Sequence, residues 1–109
     1  MKTQIKASNV ELTEALKDYI QKKMDHLYRF VNHKNAIAYV EIEKTTNHHK
    51  KGEVFRAEVN VEIDGDVVRV EKTTPDLYKS IDKIKDEMEV QLANKKDKAV
   101  SLRRRETRK

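Results

Sequence analysis

Closely spaced basic side chains are the strongest chemical signal in this 109-residue sequence. Residues 95–109 hold eight of them with two acids, a net charge of +6, whereas residues 1–94 sum to −1. The dipole of a helix C-terminus favours lysine only within its last turn, so it cannot explain the whole run. Arginine forks suit phosphate oxygens, and a short arginine-rich segment can order on RNA. The run therefore favours nucleic-acid binding over a merely solvated tail, through Lys95, Lys96, Lys98, Arg103, Arg104 and Arg105.

Lys23 is the basic residue of the first predicted helix that solvation explains least well. At 100° per residue it lies at the edge of an apolar stripe, beside Leu16, Tyr19 and Leu27. Its ammonium group must extend past these neighbours to reach water. Lys23 therefore either covers the rim of the core or holds a cation beside the domain for an anionic partner.

Two other cations of the first predicted helix follow acids at helical spacing. Asp18 precedes Lys22 by four residues, and Asp25 precedes Arg29 by four. Such pairs stabilise an exposed helix by ~0.2–0.5 kcal/mol each, so ion pairing within the helix is the simpler explanation for both cations.

In the second predicted helix, Lys79 and Lys83 are four residues apart and repel each other slightly. Asp82 and Asp86 flank them and are expected to dilute their positive charge. Together the two helices offer six candidate nucleic-acid-binding residues: Lys22, Lys23, His26, Arg29, Lys79 and Lys83.

Catalytic signatures are weak in this chain. It has no cysteine, only two glycines and no serine in a nucleophile elbow. His48 and His49 form the one histidine cluster, and the nearest acid, Glu53, follows at no recognised metal-ligand spacing. The sequence therefore predicts a solvated loop there, with no catalytic residue, metal, cofactor or small-molecule substrate.

The first half of the chain shows a strand, a helix and a second strand. Residues 3–7 are predicted to form the first strand. Residues 13–30 carry apolar side chains at helical spacing behind Thr13, a favourable N-cap. A polar break at residues 32–35 precedes a strand over residues 36–44, whose inward face is formed by Ala36, Ala38, Val40 and Ile42.

A β-hairpin is predicted for the next segment. After a polar loop over residues 45–52, residues 55–63 alternate as a strand and residues 67–72 return as another. Asp64-Gly65 between them is a strong signal for a two-residue turn. Because both strands alternate cleanly, the sheet should have one covered face and one solvated face.

A second helix should complete the domain. Thr74 is the expected N-cap, with Pro75 at the first helical position, and the apolar stripe from Leu77 to Leu92 should carry the helix to about Asn94. The predicted fold class is α+β, in the order β-α-β-β-β-α, with two helices packed on one face of a four-stranded sheet. Residues 1–95 would form one domain and residues 96–109 a basic tail.

Composition sets the broad class of protein. Charged residues make up 39% of the chain and hydrophobic residues 37%, so a small core is surrounded by a heavily charged surface. No apolar run approaches the ~20 residues of a membrane span, and the first residues show no signal-peptide block. A soluble cytosolic protein with no membrane partner is expected.

Three short motifs, taken in order, resemble a known family. Residues 9–16, Asn-Val-Glu-Leu-Thr-Glu-Ala-Leu, close the first strand and open the first helix. Residues 76–82, Asp-Leu-Tyr-Lys-Ser-Ile-Asp, open the second helix, and Gln91-Leu92 followed by residues 96–98, Lys-Asp-Lys, end it. From about residue 2 to residue 98 the chain resembles the bacterial ribosome hibernation-promoting factor and ribosome-associated inhibitor family, also called the sigma-54 modulation protein family.

The resemblance implies a fold similar to a double-stranded RNA-binding domain and a non-catalytic role on the ribosome. Its partners would be 16S rRNA, the 30S subunit and the 70S ribosome, and the protein would be a monomer off the ribosome. The domain would lie over the sites of mRNA and of A- and P-site tRNA, inhibiting translation in stationary phase or stress. The chain fits either a short form or the N-terminal domain of a long form, whose C-terminal domain dimerises ribosomes.

Family members contact rRNA phosphates with basic side chains from the two helices and the segment after the second. In this chain Lys23 matches a basic position of the first helix, and Lys96 and Lys98 match the run after the second.

Three departures from the family pattern remove positive charge. His26 stands where many members have lysine, Val90 where arginine is usual, and Asn94 where another basic residue is common. We therefore expect the second helix to bind rRNA less strongly than in a typical member, with residues 103–105 compensating.

Three other functions remain open from the sequence. The chain could be a general double-stranded RNA-binding module, which would bind arbitrary duplexes as well as 30S subunits. It could be a metal-dependent nuclease using His48, His49 and Glu53, or a protein-interaction module using the open sheet face. Groove reading of DNA is disfavoured, because no helix presents clustered Arg, Asn and Gln.

Overall fold

The computed structural model describes residues 1–31, 35–45 and 54–107, with side chains described as far as Lys95. The elements follow the predicted order: strand β1 (Lys2–Ser8), helix α1 (Glu14–Leu27), one 3-10 turn (Tyr28–Phe30), strands β2 (Ala36–Lys44), β3 (Phe55–Ile63) and β4 (Asp66–Thr74), and helix α2 (Leu77–Thr107).

One four-stranded sheet has the spatial order β1-β2-β3-β4. β1 runs parallel to β2, and the other neighbours are antiparallel. Both helices pack on the same face, with α1 beside β1 and α2 across β3 and β4. This arrangement confirms the predicted α+β fold, while the likeness to a double-stranded RNA-binding domain stays a prediction.

The two central strands have the predicted bounds, because their alternation is unambiguous. In β2 every second residue is buried, and β3 buries Ala57, Val59, Val61 and Ile63. The edge strands are longer than predicted, since pairing extends them past their apolar residues. Lys2 pairs with Ile37 at one edge, and Phe55 pairs with Thr74 at the other.

The turn between β3 and β4 is the predicted Asp64-Gly65 pair. Both residues have positive φ, 50° for Asp64 and 86° for Gly65. Two successive positive φ angles are the signature of a type I′ turn, whose twist matches that of the flanking strands. Ile63 and Asp66 pair directly across the turn, which fixes the hairpin register.

Helix α1 begins as predicted. The Oγ1 of Thr13 accepts a hydrogen bond from the backbone N–H of Leu16 at 3.1 Å, and Glu14 adds an acid to the first turn. The α-helix ends at Leu27, three residues before the predicted limit, and the remaining residues form the 3-10 turn.

The start of α2 corrects the sequence prediction, because Asp76 and not Thr74 caps the helix. The Oδ1 of Asp76 accepts from the N–H of Tyr78 at 2.9 Å, and Pro75 precedes the helix. Thr74 is buried and bonds the hydroxyl of Ser80 at 2.8 Å, while Ser80 donates to the carbonyl of Phe55 at 2.8 Å. Thr74 therefore joins the end of β4 to the helix.

The end of α2 is the second correction. The helix continues to Thr107, well past the predicted end at Asn94. Neither glycine nor proline occurs after Pro75, so nothing in the sequence interrupts the backbone hydrogen bonds. Residues 96–107 are thus helical, although their side chains lie outside the described part.

The core lies between the sheet and the two helices. It includes the predicted stripe of α2, Leu77, Ile81, Ile84, Met88 and Leu92, packed with Leu16, Ile20, Met24 and Leu27 of α1. In the part of the chain that the structure describes, no helix is long and apolar enough to cross a membrane.

Candidate nucleic-acid interface

The two helices contact each other through polar side chains at the edge of the core, and we call this line of contact the groove. Tyr19, Lys23 and His26 follow one another along α1 at spacings of four and three residues, so they share one side of the helix. Asp82 and Glu89 meet them from α2. The groove is therefore lined by polar groups that pair across the two helices.

Lys23 lies in this groove as an ion-paired cation. Its Nζ is 3.3 Å from Oδ1 of Asp82 and 5.0 Å from the centre of the Tyr19 ring. Its side chain is 27% exposed, which fits the predicted position at the rim of the core. The ammonium group is thus held by a carboxylate and an aromatic face together.

Tyr19 is the residue that joins the partners of Lys23. Its hydroxyl donates to the same Oδ1 of Asp82, and its ring packs edge-on against Tyr78 at 4.8 Å between centroids. This hydrogen bond, with burial and the negative charge of Asp82, raises the pKa of Tyr19 to about 12. Tyr19 therefore stays a neutral donor across the physiological range of pH.

His26 also contacts an acid of α2. Its Nε2 is hydrogen-bonded to Oε1 of Glu89, and its ring tilts against Phe30 at 6.1 Å. Lys85 lies 3.7 Å from the same carboxylate and 2.9 Å from Asp86. The hydrogen bond to Asp86 raises the pKa of Lys85 above its usual value, so this lysine stays charged.

The cations that remain available lie on the outer faces of the helices. Lys22 and Arg29 of the α1 segment and Lys79 and Lys83 of α2 are exposed, and within the described residues none of them forms an ion pair. The pairs predicted within α1 are therefore wrong. Asp25 instead lies 3.5 Å from the N-terminal amine and accepts from Gln21 at 2.9 Å.

The acids expected to dilute Lys79 and Lys83 point elsewhere. Asp82 binds Lys23, and Asp86 binds Lys85 at 2.9 Å. Because these carboxylates are occupied, the positive charge of the two exposed lysines is less compensated than the sequence suggested.

Lys95 is the last candidate whose side chain is described. Its Nζ is 2.9 Å from Oδ2 of Asp66, the first residue of β4, and this contact lowers the pKa of the Asp66 carboxyl. Lys95 thus ties α2 to the hairpin end of the sheet. For Lys96, Lys98 and Arg103–Arg105 the described structure gives a helical backbone only.

The open face of the sheet carries a charge network that the sequence analysis missed. Glu58 is only 8% exposed, although no helix covers it. It accepts from Asn60 at 2.9 Å and from Arg69 at 3.0 and 3.3 Å, and it is paired with Arg56. The hydrogen bond from Asn60, aided by Arg69, outweighs burial and lowers the pKa of Glu58.

Arg56 completes this network. It lies 3.1 Å from Glu71 and 3.6 Å from Glu43, and its hydrogen bond to Glu71 raises its pKa. The strand alternation puts Arg56 and Glu58 on the same face, and the register puts Glu58 opposite Glu71. The alternation, together with the register that the Asp64-Gly65 turn implies, could have indicated this network from the sequence. The charges of this network are mutually compensated, unlike those of Lys22, Arg29, Lys79 and Lys83 on the helices.

Metal chemistry has no described site. Within the residues that the structure describes, no three His, Cys, Asp or Glu side chains cluster as metal ligands. The candidate nuclease residues His48, His49 and Glu53 lie outside the described residues.

The comparisons with known proteins give one consistent result. Residues 3–100 match the family model described as Sigma 54 modulation protein / S30EA ribosomal protein. A Ribosome hibernation promotion factor from Deinococcus radiodurans is 29% identical over 101 residues, which cover 92% of this chain and 51% of that protein. One from Lactococcus lactis is 32% identical over 93 residues, covering 84% and 48%. The chain thus spans about half the length of these curated relatives.

Two solved structures have the same fold. The Thermus thermophilus Protein Y N-terminal domain superposes with a TM-score of 0.72 at 33% identity, covering 86% of this chain and 98% of that domain. A ribosomal subunit interface protein from Coxiella burnetii gives a TM-score of 0.71, covering 89% and 99%, but at 21% identity it supports the fold alone. With the family model matching nearly the whole sequence, the chain belongs to the Sigma 54 modulation protein / S30EA ribosomal protein family.

Proposed function

We propose that the protein is a ribosome hibernation factor that acts in the cytoplasm by binding 16S rRNA of the 30S subunit at the decoding region. Bound there, on free subunits or on 70S ribosomes, it blocks mRNA and A- and P-site tRNA and inhibits translation in stationary phase or stress. The observation that carries the proposal is the family match over residues 3–100, on a fold whose helices expose unpaired cations. The relatives' name, Ribosome hibernation promotion factor, supports the same role.

The mechanism is steric and electrostatic, with no catalytic step. The folded domain, residues 1–95, fills the channel, and its outer helical cations neutralise rRNA phosphates. Lys22, Arg29, Lys79 and Lys83 make the first contacts, because no carboxylate among the described residues is paired with them. Lys23, His26 and Lys95 join only after leaving Asp82, Glu89 and Asp66.

The basic segment, residues 96–109, adds a second set of contacts. In this proposal Lys96, Lys98, Arg103, Arg104 and Arg105 bind phosphate beyond the domain. A helical backbone to Thr107 would present them at fixed spacing along one rod, since each residue advances a helix by 1.5 Å.

The test is the salt dependence of binding to purified 30S subunits. Each lost phosphate contact reduces the slope of log K against log salt by about 0.7–0.9. The triple variant Lys22→Gln, Lys79→Gln, Lys83→Gln should therefore lower the slope by about 2 to 3. Affinity can be measured by fluorescence anisotropy of the labelled protein across a salt series.

The control removes positive charge on the other side of the molecule. Lys2 and Lys6 are exposed on the open face of β1, so their double change to glutamine should leave the slope unchanged, whereas the double change Lys79→Gln, Lys83→Gln should lower it by about 1.4–1.8. Equal loss in both variants would show that net charge alone is responsible and would contradict the proposed face. Equal affinity of the unchanged protein for 30S subunits and for arbitrary RNA duplexes would favour a general duplex-binding module instead.

A further inference from the structure

Lys22 and Lys23 are adjacent in sequence but differ in their surroundings. Lys22 is exposed and, within the described residues, has no ion-pair partner. Lys23 faces α2, where its ammonium lies 3.3 Å from the Asp82 carboxylate and over the Tyr19 ring. Lys22 can therefore bind an anion from solvent, whereas Lys23 already has an anionic partner.

The Asp82 carboxylate is held by Tyr19 as well as by Lys23. The Tyr19 hydroxyl donates to the oxygen atom that faces Lys23, and Tyr19 itself is packed against Tyr78. A phosphate approaching Lys23 would meet this carboxylate at short range, and two anions on one cation repel each other. The phosphate must displace Asp82 or do without Lys23.

We propose that Asp82 masks Lys23, so that this lysine contributes little to phosphate binding and the affinity of the helical face for RNA is held down. The masking rests on the proposed function, which it refines, because it concerns how strongly the same face binds RNA. A restrained affinity suits a factor that must leave the ribosome when translation resumes.

Two single variants compare the neighbouring lysines directly. With purified 30S subunits as the probe, Lys22→Gln should reduce the slope of log K against log salt by about 0.7–0.9, the value for one phosphate contact. Lys23→Gln should leave the slope nearly unchanged. A loss in Lys23→Gln as large as that in Lys22→Gln would overturn the masking.

The variant Asp82→Asn removes the masking charge and keeps the side-chain shape. Freed Lys23 should steepen the slope by about 0.7–0.9, which corresponds to about fivefold to eightfold tighter binding at 0.1 M salt. Adding Lys23→Gln to Asp82→Asn should cancel this gain. An unchanged slope in Asp82→Asn would contradict the proposal.

Asp86→Asn is the matched control. It removes the same charge from the same helix one turn later, but it releases only Lys85, which keeps Glu89 at 3.7 Å. Its slope should equal that of the unchanged protein, and a gain as large as in Asp82→Asn would show a general charge effect and refute masking.

The two proposals can fail separately. If the unchanged protein binds an RNA duplex but not 30S subunits, the proposed function is wrong, while the same five variants measured on the duplex still test the masking. If it binds 30S subunits and the variants show no difference between Lys22 and Lys23, the masking alone is wrong.

Discussion

Neutralising Glu58 should destabilise the protein strongly for a residue on a solvated sheet face. Glu58 is 8% exposed, and its carboxylate accepts from Asn60 at 2.9 Å and from Arg69 at 3.0 and 3.3 Å, besides its pair with Arg56. In Glu58→Gln an NH2 group replaces one carboxylate oxygen. Its N–H donors then face the N–H donors of the guanidinium groups.

The magnitude follows from what the two arginines retain. A hydrogen bond to a charged group contributes about 1.5–3 kcal/mol net. Arg56 keeps Glu71 at 3.1 Å, and Arg69 keeps Glu71 at 2.9 Å, so the net loss is limited to about one such bond. Glu58→Gln should thus cost about 1.5–3 kcal/mol, a fall in Tm of about 6–12 °C for a domain of this size.

The pH dependence of the difference identifies its origin. The folded-state pKa of Glu58 is lowered below its ordinary value of 4.5, so its stabilisation is complete above that pH. It is lost as pH falls through the lower folded pKa, because the protonated carboxyl resembles the amide. Thermal unfolding followed by circular dichroism at pH 7 and at successively lower pH should show the two proteins converging.

Glu62→Gln supplies the comparison. Glu62 lies on the same strand and the same face but is exposed, and it has no ion-pair partner among the described residues. Its change should shift Tm by less than about 2 °C, as for most exposed positions. Equal Tm values for Glu58→Gln and the unchanged protein at pH 7 would refute the reasoning, as would a difference that persists undiminished in acid.

Two further predictions concern the turn and the groove. Gly65→Ala should lower the free energy of unfolding in urea by about 1 kcal/mol, because a φ of 86° is strained for a residue with a side chain. The cost is conformational, since nothing lies within 4 Å of the added Cβ. An unchanged urea midpoint would contradict the type I′ turn. Tyr19→Phe should lower the free energy of unfolding by about 1 kcal/mol, because the hydrogen bond to Asp82 is lost. In an ultraviolet pH titration, the variant should also lack the tyrosine that ionises at the highest pH. If that last ionisation remains, Tyr19 is not the residue with the raised pKa.

The strands and the apolar faces of the helices were predictable because their signal is local. Alternation gave the bounds of β2 and β3, and the positive-φ turn followed from Asp64-Gly65. The predicted start of α2 was wrong because Thr74 and Asp76 are both favourable N-cap residues. Only the burial of Thr74 against Ser80 decides between them.

The end of α2 was missed for a different reason. The prediction stopped where the apolar stripe ended, but residues 95–107 contain neither glycine nor proline, so no residue there breaks the helix. An apolar stripe indicates which part of a helix is buried, but residues beyond the stripe can still be helical, as at the end of α2.

The site was predictable in position but not in pairing. Helical geometry placed Lys23 at the rim of the core, where the structure has it. Its partner Asp82 is 59 residues away in sequence, so the contact depends on how α1 and α2 pack. The predicted Asp25–Arg29 pair does not form because the N-terminal amine and Gln21 contact Asp25, while no contact explains the missing Asp18–Lys22 pair.

The sheet ends at β1 on one side and β4 on the other, and no described residue adds a fifth strand. Unpaired backbone groups along such edges can recruit strands from other molecules, the first step toward aggregated β-structure. β1 carries Lys2 and Lys6 on its open face, while β4 carries Arg69 and Glu71. A strand from another molecule would have to accommodate these charges beside its own side chains. The charged edge strands therefore disfavour strand addition from one molecule to the next.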